Sequence, residues 1–142
     1  MWSSYPLESQ LLLLKRSFHM TTRTRLEPGP DHPITIARTA GHVVVRVGDQ
    51  VIAESDNALT LEEANYGPVQ YVPLADVDAA VLHPTDHETY CPYKGEASYY
   101  TVTTPAGELE NVIWTYEEPY DAVSEIAGHA AFYTDRVELS VA

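Results

Sequence analysis

Lys94 and Cys91 are the residues whose types and surroundings first suggest chemistry. Between Arg46 and Arg136 the chain has one lysine or arginine, Lys94, and positions 47 to 135 hold 17 acidic residues. A lone positive charge in such a field marks a place where an anion could bind, or where a thiolate could be supported. Pro92 lies between the two residues and predicts a turn-like or extended segment. Lys94 is therefore a candidate ligand-binding residue and Cys91 a weaker catalytic candidate; the alternative is a buried thiol beside a lysine paired with a carboxylate.

Aromatic residues gather around the same segment and could form the wall of a pocket. Phenol and indole rings offer apolar surface with polar tips, which suits a small-molecule site, although each ring could equally pack a β-rich core. Because side chains alternate along a strand, Tyr99 and Tyr100 face opposite ways, whereas Trp114 and Tyr116 share a face. The candidate ligand-binding residues are Lys94, Tyr71, Tyr99, Tyr100, Trp114 and Tyr116.

The histidines are weaker candidates for catalysis or metal binding. His129 follows Gly128 at a predicted helix end and is a candidate general base, with a structural role as the favoured alternative. His83 and His87 are four residues apart, but Pro84 argues against a helix that would place both on one metal, so a polar loop is predicted there. We predict no metal site and no cofactor.

Asp76 and Asp78 form an acidic pair of the kind that holds catalytic divalent metals. Nucleotidyl transfer would also need phosphate-binding donors, and no glycine-rich phosphate loop is found. Whether the protein is an enzyme stays open at this point.

Composition limits the partners. The chain has 142 residues, a formal net charge of −13 and a pI near 4.6. This charge argues against binding nucleic acid or an anionic membrane surface. One cysteine forbids an internal disulfide, and a free thiol fits the reducing cytoplasm, where we expect the protein to reside.

The chain divides into an N-terminal part and one domain. Leu11 to Leu14 are too few to span a bilayer, and the charges that follow them are in the reverse order of a secretory signal. We interpret residues 1–32 as an extension and an extended arm, with residues 1–19 poorly ordered. Residues 33–142 form a single β-rich domain.

Strand signals dominate that domain. They run over 34–36, 42–47, 51–54, 58–61, 96–104 and 109–116, and 129–133 with 136–141 reads as a closing hairpin. Pro73–Val77 reads as one helical turn, and 119–127 is predicted as a helix that Gly128 ends. The fold class is mainly β: a compact antiparallel two-sheet sandwich or tent-like barrel with one short C-terminal helix.

Several ordered motifs carry a family resemblance. They include Val51–Ser55, Tyr71–Pro73, Thr89–Tyr100, Trp114–Tyr116 and His129–Tyr133. Together they resemble the bacterial domain-of-unknown-function family 427, over about positions 33 to 141. The resemblance implies a small β-rich domain, related to tent folds that elsewhere bind zinc through cysteines, and the family is sometimes labelled nucleotidyltransferase-like. Because this chain has a single cysteine, it cannot form the cysteine-bound zinc site of those folds.

Two main hypotheses follow. In the first, the domain binds a small anionic metabolite in an aromatic pocket anchored by Lys94. In the second, it is a non-catalytic homodimerisation module in which the tyrosines pack the interface. The nucleotidyltransferase alternative requires Asp76 and Asp78 to converge on Lys94.

Overall fold

The structure, a computed structural model, describes residues 23–142, so the leucine run and the predicted extension over residues 1–19 lie outside the described part. The described residues form ten strands: β1 (Ile34–Arg38), β2 (Val43–Val47), β3 (Gln50–Ser55), β4 (Leu59–Glu63), β5 (Val69–Pro73), β6 (Leu82–Cys91), β7 (Gly95–Thr104), β8 (Gly107–Thr115), β9 (His129–Phe132) and β10 (Glu138–Val141). Short 3-10 turns occupy Leu74–Asp76, Ala79–Val81 and Asp121–Ile126.

The strands make two antiparallel sheets. The larger has the order β1-β4-β5-β9-β8-β7-β6, and the smaller has the order β10-β2-β3. The prediction of a mainly β, antiparallel, two-sheet fold is confirmed. Neither sheet closes on itself, so the barrel alternative is wrong.

Alternation along the strands builds two apolar clusters on opposite faces of the large sheet. One cluster lies between the sheets and joins Val45 and Ile52 of the small sheet to Val102 and Ile113 of the large one. The other lies on the far face of the large sheet. It contains the buried rings of Tyr71, Tyr99 and Tyr116, and Trp114 packs against them. The far face is therefore the aromatic one.

The segment predicted as a C-terminal helix covers part of that far face. Asp121–Ile126 makes only 3-10 turns, with a kink at Val123 (φ −129°, ψ 28°). Val123 and Ile126 are fully buried, whereas Ala122 and Ala127 are exposed. Val123 and Ile126 are three residues apart, so 3-10 turns place both side chains on the buried side without a full α-helix. Burying each of these side chains contributes about 1.5–3 kcal/mol to stability. Gly128 does end the segment, with φ +72°.

The predicted hairpin of residues 129–133 with 136–141 is also wrong. β9 pairs with β5 and β8 in the large sheet, whereas β10 pairs with β2 in the small one. The chain between them crosses from one layer to the other.

The loop predicted at 83–87 is part of the edge strand β6. Its pairing with β7 shifts register between Pro84 and Glu88, so the strand contains a bulge. No helix in residues 23–142 is long and apolar enough to cross a membrane.

Candidate functional site

Lys94 sits at the tip of the β6–β7 hairpin and points inward. The Lys94 N–H donates to the carbonyl of Cys91 at 3.2 Å, which closes the turn, and the Lys94 carbonyl accepts from Tyr120 N–H at 3.0 Å. Gly95 follows with φ +110°, a backbone conformation that favours glycine. The side chain of Lys94 is only 9% exposed. The turn-like segment predicted around Pro92 is confirmed.

The charge of Lys94 is already paired. Its Nζ lies 2.5 Å from Glu63 Oε1 and 3.6 Å from Cys91 Sγ. The other carboxylate oxygen of Glu63 bonds to His32 Nε2 at 2.7 Å. His32 in turn stacks on Tyr93, with ring centroids 3.9 Å apart. The ammonium is thus one member of a network of His32, Glu63, Lys94 and Cys91, and not an unbalanced positive charge.

The carboxylate holds its negative charge in this network. Burial by itself would raise the pKa of Glu63, but the hydrogen bonds from Lys94 and His32 outweigh burial and the pKa lies below its ordinary value. Its hydrogen bond to the Lys94 ammonium joins two opposite charges. The pair therefore contributes little net charge to its surroundings.

The Glu63–Lys94 pair lies in the wall of a cavity of about 310 Å³ on the aromatic face. The lining consists mainly of aromatic and aliphatic side chains: Leu61, Glu63, Tyr66, Gly67, Val69, Tyr71, Lys94, Tyr99, Trp114, Tyr116 and Tyr133. Five of the six residues that the sequence nominated for ligand binding line this cavity. Tyr100 does not, because strand alternation turns it toward the cluster between the sheets.

Two buried phenols, Tyr71 and Tyr116, line this cavity. Tyr71 is 2% exposed and accepts a hydrogen bond from the Trp114 indole N–H at 3.3 Å. Tyr116 is 6% exposed, and no hydrogen-bond partner of its hydroxyl is found among the described residues. Burial raises the pKa of Tyr71 to about 12 and raises that of Tyr116 further. Both phenols therefore keep their protons at neutral pH and remain hydrogen-bond donors.

The two catalytic candidates do not line the cavity. Cys91 is half-buried behind Lys94, packs against the aromatic cluster and is near enough to the Lys94 ammonium for a weak contact. His129 places Nδ1 2.9 Å from the carbonyl of Ala127, a local contact that holds the ring at the end of the 3-10 segment. The structure does not bring His129 together with Cys91 and Lys94 around one cavity.

The acidic pair lies elsewhere. Asp76 accepts from the Ser55 hydroxyl at 2.6 Å, and Asp78 accepts from the Ala80 N–H at 3.0 Å. Both line a cavity that does not include Lys94. The convergence that nucleotidyl transfer would require is absent. Residues 23–142 contain no cluster of three or more histidine, cysteine, aspartate or glutamate side chains suited to a metal, and His83 and His87 are exposed on β6.

Glu63 and His32 were missed in the sequence, and Tyr133, although one of the clustered aromatic residues, was not nominated for ligand binding. Glu63 could have been found, because it continues the alternation of Leu59 and Leu61 and so places a carboxylate on an apolar face. The predicted strand ended at Leu61, two residues too early. His32 and Tyr133 reach the site through chain pairings that alternation does not reveal.

These observations define a class: an antiparallel β domain with an aromatic cavity and a buried Glu–Lys pair in its wall. The chain belongs to the family described as Domain of unknown function (DUF427), whose sequence profile matches residues 35–142. This is the family that the motifs indicated. A comparison with curated proteins finds no match.

Proposed function

We propose that the domain binds a small, largely apolar metabolite that carries a single carboxylate, with this carboxylate held at the Lys94 end of the aromatic cavity. The observation that carries the proposal is that three donor-bearing residues, Lys94, Tyr71 and Tyr116, line one apolar cavity. The ammonium has three N–H donors. Glu63 and Cys91 engage two of them, which leaves one for a ligand oxygen.

The volume and the charge limit the ligand further. A cavity of about 310 Å³ lies at the small end of ligand pockets. Glu63 neutralises Lys94, and the net charge of the chain is −13. A dianion or a polyphosphate would therefore meet repulsion without a matching cation. A single carboxylate on an apolar or aromatic body fits these limits best.

A thermal-shift screen of monocarboxylates tests the proposal, with Tyr116→Phe as the diagnostic variant. This change removes one hydroxyl and keeps the ring, so the affinity should fall by about tenfold, as expected for a lost hydrogen bond to a charged group. The stabilisation that a ligand provides should fall accordingly, because it depends on ligand concentration relative to Kd.

Tyr100→Phe is the matched control, because it makes the same chemical change on the opposite face of the sheet. A ligand whose stabilisation is reduced equally by the two variants, or by neither, would contradict the proposed site. If dicarboxylates or phosphates bind better than monocarboxylates, the charge argument fails.

A further inference from the structure

A second cavity, of about 430 Å³, adjoins the first. The two cavities share three lining residues: Val69, Trp114 and Tyr133. The rings of Trp114 and Tyr133 lie against each other, with centroids 4.7 Å apart and planes tilted by 50°. Trp114 lines both cavities, and its indole N–H donates a hydrogen bond to Tyr71 in the wall of the first. The two cavities are therefore neighbours that share this aromatic pair in their walls.

The second cavity has a different chemical character. Its lining includes Trp114, Phe132 and Tyr133, one carboxylate, Asp135, and no basic side chain. Asp135 is exposed and forms no ion pair within residues 23–142. Its neighbour Arg136 is directed at the carbonyl of Glu110, to which it donates at 2.7 Å. Aromatic faces beside a carboxylate favour an organic cation, and most strongly an alkylated ammonium whose hydration shell is weak.

We infer that the second cavity receives an alkylated ammonium group, so that the ligand is an elongated zwitterion with its carboxylate at Lys94 and its cation between Trp114, Tyr133 and Asp135. The inference rests on the proposed function for the carboxylate end and on the second cavity alone for the cationic end. A zwitterion also suits the strongly negative protein, because it approaches without net repulsion.

Titration calorimetry tests the inference with γ-trimethylammoniobutyrate and its homologues of increasing chain length. Each is compared with its uncharged carbon isostere, in which a tert-butyl group replaces trimethylammonium. The best homologue should bind about tenfold more tightly than its isostere. Asp135→Asn should remove most of that difference, whereas Asp49→Asn, an exposed acid in the β2–β3 turn, should leave it unchanged.

Fluorescence supplies a second readout. The chain has two tryptophans, so a Trp2→Phe background makes Trp114 the only indole. The ammonium series should change its emission more than the isosteres do.

The outcomes separate the two proposals. If the isosteres bind as tightly as the ammonium compounds and Asp135→Asn has no effect, this inference is overturned and the proposed function stands. If tetramethylammonium binds in an Asp135-dependent manner while neither carboxylate series binds, the cation site stands and the carboxylate site is overturned. If none of these probes binds, both proposals are overturned.

Discussion

Within residues 23–142, Glu63 is the carboxylate that pairs with Lys94 on the aromatic face. Both side chains are largely withdrawn from water, with 14% and 9% of their surfaces exposed. Removing one member of such a pair leaves the other charge uncompensated, which costs more than the pair itself contributes.

Glu63→Gln should therefore destabilise the protein by about 3 kcal/mol at neutral pH, measured by urea denaturation. Glu62→Gln is the matched control, because Glu62 is its exposed neighbour on the same strand and points away from the cavity. Two variants of equal stability would contradict the buried pair.

The same variant has a pH signature. The pKa of Glu63 is lowered in the folded protein, so its contribution is fully present above the ordinary carboxyl pKa of 4.5. It is lost as the pH falls through the lowered folded value. The stability gap between the wild type and Glu63→Gln should narrow in that acidic range, and a gap independent of pH would count against the ion pair as its cause.

At the scale of elements, the β6–β7 hairpin sets the position of Lys94. Gly95 has φ +110°, where a side chain is strained, and a Cβ there would meet the carbonyl of Glu118 at 3.6 Å, an ordinary contact. The difficulty at this position is therefore conformational and not steric.

Gly95→Ala should cost about 1–3 kcal/mol and loosen the turn. Lys94 should then react faster with an amine-acylating reagent, followed by mass spectrometry. Gly67→Ala is the control, since its φ lies outside the strained range and a Cβ there has nothing within 4 Å. Unchanged Lys94 reactivity in Gly95→Ala would show that the turn does not position the side chain.

Local signals predicted the elements better than their pairings. The β2–β3 hairpin could be predicted because Gly48 and Asp49 supply its turn. β9 and β10 are also close in sequence, yet they join different sheets, and alternation does not say which partner a strand takes. β6 was missed because Pro84 argues against a central strand, whereas an edge strand tolerates proline.

In the candidate site too, local sequence signals predicted individual residues but not the contacts between distant strands. The aromatic wall could be predicted in part because Tyr71, Tyr99 and Trp114 occupy strand positions on the same face of the large sheet. The partner of Lys94 could not, because Glu63 is 31 residues away and reaches it only through the order of strands in the large sheet.

At the scale of the whole molecule, the arm before β1 is attached to the domain. Arg23 pairs with Glu96 at 2.6 Å, the Leu26 N–H donates to the carbonyl of Pro92 at 3.0 Å, and His32 bonds to Glu63. The guanidinium of Arg25 also lies over the ring of Tyr120, 4.1 Å from its centroid. The arm therefore supports the hairpin that carries Lys94.

A chain that begins at Pro33 should be less stable than one that begins at Arg23, by about 2 kcal/mol, because it loses these hydrogen bonds and the His32–Glu63 contact. Urea midpoints of the two chains measure the difference. Equal midpoints would show that residues 33–142 are energetically independent of the arm.

Homodimer formation stays a prediction, and the β6 edge of the large sheet is relevant to it. An unpaired strand can recruit a strand from another copy of the protein, which leads to open-ended association. β6 interrupts this path through Pro84, which lacks an N–H, through the bulge that follows it, and through Asp86 and Glu88, which place like charges on any identical strand that approaches. The bulged β6 edge thus works as protection against open-ended strand pairing.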